Sequence, residues 1–152
     1  MSRKNPFSRL LILFAGYYGI LQSLHLLFLV RAGFILVKTG AIPFPAPPPE
    51  LGWSTQVIPF LLAMGTLDAA AAFLGIFSSI NLVRKNHLDS RPWMLSLVIA
   101  LTSALIFAVG TFASGAWMDH PTAYGILVVF FSPIFPLFIM ILRRAGKSEH
   151  LT

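Results

Sequence analysis

Tyr18, Gln22, His25, Arg31 and Asp68 are the side chains in this sequence with the most chemical potential, and all sit in stretches that are otherwise apolar. Asp68 is the only carboxylate inside any of the four long apolar stretches. An ionisable group at membrane depth is costly and marks a functional hypothesis by default. An acid beside a histidine can exchange protons, hold a polar headgroup or act as general acid and base. A lone carboxylate in apolar surroundings favours its neutral form, and a neighbouring cation restores the ionised form. Three arrangements are therefore open to Asp68: hydrogen-bonded to Tyr18, Gln22 or a hydroxyl; paired with His25; or paired with Arg31. The first reading of these residues is a polar clasp between spans one and two, followed by a proton or ligand site and then a contact to another subunit.

Spacing narrows these choices. Tyr18, Gln22 and His25 stand at i, i+4 and i+7 and share one face of a helix. Arg31 is rotated by about 120° from His25 and shares its side with Lys38, where both cations suit outer headgroups. Counted from the outer boundary, Asp68 lies about twelve residues deep, His25 about thirteen and Arg31 about seven along their spans. Asp68 and His25 thus lie at matching depths, with Arg31 nearer the surface.

The elements that must position them follow from composition. The 152 residues are 57% hydrophobic and 11% charged, against about 25% charged in soluble domains. A bilayer core of about 30 Å needs roughly 20 apolar residues per helix. Spans are expected at about 10–37, 56–83, 92–114 and 122–142. The predicted fold is all-α, a single domain of four transmembrane helices in an antiparallel bundle. The first span follows a basic stretch, as a signal peptide would, but it is far longer than a signal core and lacks a small-x-small cleavage site.

The net charge of +6 does not form one footprint, so nucleic acid is not an expected partner. Arg3, Lys4 and Arg9, then Arg84, Lys85 and Arg91, then Arg143, Arg144 and Lys147 form clusters that alternate with the spans. The positive-inside rule places all three clusters, and both termini, on the cytoplasmic side of a multi-pass membrane protein. Expected partners are the lipid bilayer and a homo-oligomer or larger membrane complex.

Helical periodicity assigns the faces. Asp68, Ala71, Ala72, Gly75, Ser78, Ser79 and Leu82 share one side of span two, with Leu62, Phe73, Phe77 and Ile80 opposite. Small residues permit close helix approach, so Asp68 is expected to point into the bundle. Ser96, Ser103, Gly110 and Ser114 mark a similar seam on span three. Pro92 suits the first turn of its helix, whereas Pro133 and Pro136 should kink span four.

The proline-rich stretch at 42–50 reads as an external polyproline II spacer, laid on the bilayer by Phe44 and Trp53, or as a recognition strip. Asp119 and His120 read as a solvated turn. Zero cysteines exclude thiolate chemistry and disulfides, and no metal, phosphate-loop or triad motif stands out, so neither cofactor nor metal is expected. The leading expectation is a non-enzymatic accessory, assembly or self-associating subunit. The alternatives are a proton-linked carrier or binder of a small lipophilic molecule around Asp68 and His25, and a membrane enzyme acting on a lipophilic substrate.

Overall fold

A computed structural model of the chain describes residues 9–40, 57–85, 87–113 and 116–149. The proline-rich stretch at 42–50, Trp53, Arg3, Lys4, Ser114 and His150 lie outside them. The described residues are all-helical: α1 (Arg9–Thr39), α2 (Val57–Lys85), α3 (Ser90–Ala113), α4 (Ala116–Asp119), α5 (Pro121–Phe131) and α6 (Ile134–Glu149). Four helical stretches are long and apolar enough to cross a membrane, namely α1, most of α2, most of α3, and α5 with α6 as one span.

Local chemistry sets the ends. At 31 residues α1 reaches about 46 Å, well beyond a bilayer core of about 30 Å. It stops at Gly40, whose φ of 71° is a left-handed cap that glycine adopts without strain. The Gly40 N–H donates back to the Leu36 carbonyl at 2.8 Å. Asp89 Oδ1 accepts from the Arg91 N–H at 3.1 Å and so caps α3, with Pro92 in its first turn as expected.

Two connections differ from the sequence reading. Residues 115–121 were expected as a plain loop, yet they contain the single turn α4, where Trp117 stacks on Tyr124 with ring centroids 5.0 Å apart. Span four does not merely bend; it divides into α5 and α6 at Ser132 and Pro133. Pro133 cannot donate to Val129, and the Ser132 hydroxyl takes over that carbonyl at 2.9 Å. Pro136 cannot donate to Ser132, and the Phe135 N–H does so instead at 3.2 Å. Each backbone acceptor freed by a proline is thus reclaimed next door.

Packing is uneven along the bundle. Helix α2 lies between α1 and α3, and α6 packs on α3 and α1. Leu11, Leu82, Trp93, Leu97, Leu137 and Ile141 form a closed core where the chain's two described ends meet. Toward the other end α5 buries only Tyr124. The α2 face is as its period predicts: Ala71, Ala72, Gly75, Ser78, Ser79 and Leu82 are buried, while Leu62, Phe73, Phe77 and Ile80 are exposed. Ser96 and Ser103 are buried on α3.

Contact between α1 and α2 is backbone-close. A Cβ on Gly75 would stand 2.6 Å from Tyr18 Cε1 and 2.9 Å from Ser96 Oγ, and one on Gly19 would stand 2.8 Å from Ser79 Cβ. Overpacking of that kind typically costs about 1–3 kcal/mol. Gly75→Ala should therefore lower the midpoint of unfolding in mixed detergent micelles, whereas Gly16→Ala, with nothing within 4 Å of the new methyl, should leave it unchanged or raise it. Equal midpoints for the two variants would show that the close approach carries no weight.

Candidate functional site

The stripe on α1 divides into two layers. In the deeper layer the Tyr18 and Ser96 hydroxyls are 2.8 Å apart, and Ser96 Oγ donates to the Ala71 carbonyl at 2.7 Å. A hydroxyl has one proton to give, so Ser96 accepts from Tyr18 and passes its own proton toward Ala71. One relay thereby joins α1, α3 and the backbone of α2. Tyr18, Gln22 and Ser96 are fully buried, and the Gly75 gap is what lets their side chains meet. Gln22 stands beside the Tyr18 phenol, but its carbonyl Oε1 finds no hydrogen-bond donor among the described residues.

The second layer lies one turn away along α2, toward the less packed end. His25 Nε2 approaches Asp68 Oδ2 to 3.8 Å, with about a fifth of each side chain exposed. That separation exceeds the usual hydrogen-bond range of about 2.7–3.2 Å, and the contact is an ion pair only with the imidazole protonated. The carboxylate therefore keeps acceptor capacity that His25 does not fill. The other face of His25 meets the Phe131 ring edge-on, with centroids 5.9 Å apart. Phe131 is the last residue of α5, so the pair sits beside the break in span four.

The structure thus brings together four of the residues singled out in the sequence, in two adjoining layers, and leaves out the fifth. Arg31 is exposed and takes no part in the Asp68 contact. Its neighbour Lys38 places Nζ 4.4 Å from the Phe34 ring centroid, an outward-turned cation resting on an aromatic. Asp119 and His120 are exposed, and among the described residues no cluster of histidine and acidic side chains is arranged to hold a metal.

Sequence reasoning missed Ser96 as the partner of Tyr18, Phe131 as the wall behind His25, and Tyr17. The Tyr17 hydroxyl donates to the Phe130 carbonyl at 2.9 Å and ties α1 to the end of α5. One signal was present: a proline inside a span disturbs the acceptors just before it, and a nearby hydroxyl is the natural donor.

No family model, curated protein or solved structure matches the chain. The site must be read from its own chemistry.

The relay is open to a direct measurement. A double-mutant cycle of Tyr18→Phe and Ser96→Ala should return a coupling of roughly 0.6–1.7 kcal/mol, the range for hydrogen bonds between membrane helices. The same cycle in an Asp68→Asn background should give the same coupling, because the acid lies in the other layer. Zero coupling would dissolve the relay, and a coupling lost with Asp68 would merge the two layers into one network.

Proposed function

We propose that this chain is a multi-pass membrane protein of the cell membrane, with four antiparallel spans and both termini cytoplasmic. It acts without catalysis, as an assembly or self-associating subunit. The topology is supported by Arg9, Arg84, Lys85, Arg91 and Arg143, exposed at the helix ends that would share the cytoplasmic side. The absence of cysteine makes a labelling test clean. An impermeant maleimide added to intact cells should label Met118→Cys, whose native side chain is 84% exposed, and not His87→Cys. The reverse pattern would invert the protein.

The subunit reading rests on the open flank of the His25–Asp68 pair. Other contacts already hold α1 to α2: α1 packs against α2 more than against any other helix, and Tyr18 packs into the Gly75 gap. The pair is one contact among these rather than the clasp that holds them. Hydrocarbon does not solvate an ionisable pair, so a neighbouring polypeptide supplies the missing cover. In a mild detergent the wild type should run as a complex larger than one chain, and Asp68→Ala should shift it toward the monomer. A clean monomer in both cases would remove this reading.

The long His25–Asp68 separation favours a second reading, a proton-linked carrier or binder of a small lipophilic molecule. Here the ligand, not another chain, occupies the spare acceptor capacity of Asp68, and Phe131 offers an apolar wall.

A further inference from the structure

We infer that the ligand class suited to the Asp68 layer is a lipophilic amine, bound as its ammonium; this rests on the second reading above. The charge balance of the site selects it. Asp68 is the acid of the layer, with His25 from α1 facing it at 3.8 Å and the Tyr18 phenol within electrostatic reach. Arg31 is turned to the exposed side of α1, and among the described residues no lysine or arginine is paired with Asp68. A carboxylate ligand would face Asp68 as a like charge. An alcohol would fill one acceptor position and leave the charge unmatched. An ammonium supplies several donors and the opposite charge in a medium of low dielectric, where such a pair is strongest.

The route in is chemically consistent. The ammonium enters from the headgroup layer with its alkyl chain already in lipid and meets the Asp68 carboxylate, so no covalent bond is made or broken and the resulting pair carries no net charge. The apolar body of the amine lies along the Phe131 side of the layer. Beyond Phe131, α5 stands off from the bundle, with Val128 and Val129 exposed. On the α1–α2 side the two helices are packed together, so the open flank is the one beside α5.

Chain-matched probes separate the possibilities. Full-length protein in phosphatidylcholine nanodiscs is titrated with dodecylamine, dodecanol and dodecanoate, and thermal unfolding is followed. Dodecylamine should raise the unfolding temperature of the wild type, Asp68→Asn should weaken that effect by about tenfold or more, and Asp68→Glu should retain part of it. Each variant is first shown to unfold cooperatively without ligand; should Asp68→Asn fail this, Asp68→Leu takes its place, with the same loss expected. An equal response to dodecylamine in the wild type and the variant overturns the proposal, because the amine then acts through the bilayer. Stabilisation by dodecanol or dodecanoate that depends on Asp68, without one by dodecylamine, overturns the amine class and keeps the small-molecule site. No Asp68-dependent response to any of the three overturns both.

Discussion

Apolar surroundings offer no hydrogen bonds, so a polar group on a helix long and apolar enough to cross a membrane gains by finding a partner within the protein, and several contacts of this structure follow from that constraint. Isolated hydroxyls solve it locally. Ser23 donates to the Gly19 carbonyl, Thr39 to Ile35 and Thr66 to Leu62, each at 2.8 Å and each one turn back along its own helix. Tyr18 is too long to turn back on its own helix, so its hydroxyl must cross to a neighbour. The crossing requires close approach, and Gly75 provides it. The packing of α1, α2 and α3 is therefore the geometric condition for satisfying one phenol.

The same constraint explains how span four tolerates two prolines. Ser132 and the Phe135 amide recover the carbonyls that Pro133 and Pro136 abandon, and Tyr17 adds a donor at Phe130. The break then serves as an anchor, since the hydroxyl that caps it belongs to α1. On one side of it α6 joins the closed core through Leu137 and Ile141. On the other, α5 is held by rings: Phe131 against His25, and Tyr124 against Phe107 and Trp117. A helix fixed by a few edge and stacking contacts is less tightly bound than one buried along its length, so the bundle is firm at one end and open at the other.

Much of this was legible in the sequence because small and bulky residues on α2 separate cleanly at the helical period. Ala72 and Phe73 are neighbours in sequence, yet one is buried and the other exposed. Depth arithmetic matched His25 with Asp68, and helical rotation set Arg31 apart. The hydrogen-bond partners were less legible. A serine stripe on α3 says that helices touch, but the register that puts Ser96 opposite Tyr18 depends on the loops and on Gly75. Backbone acceptors such as Ala71 and Phe130 leave no mark in a side-chain pattern. The turn α4 was hidden for a similar reason: its most visible tertiary contact, Trp117 on Tyr124, joins residues on either side of Pro121.

Asp68 meets the constraint only in part. A clasp built for stability would bring His25 within hydrogen-bond distance or dispense with both charges, since apolar replacements of ion pairs are often neutral or stabilising. Here the pair stops at 3.8 Å and stays partly uncovered, although the relay from Tyr18 through Ser96 to Ala71 already ties together the helices it would join. On the proposed readings an acid at this position serves a group outside that contact, a second chain or a small molecule, and the two make different demands. A second chain must cover an entire flank of α5 to reach the pair, whereas a small molecule needs only the width of the seam beside Phe131.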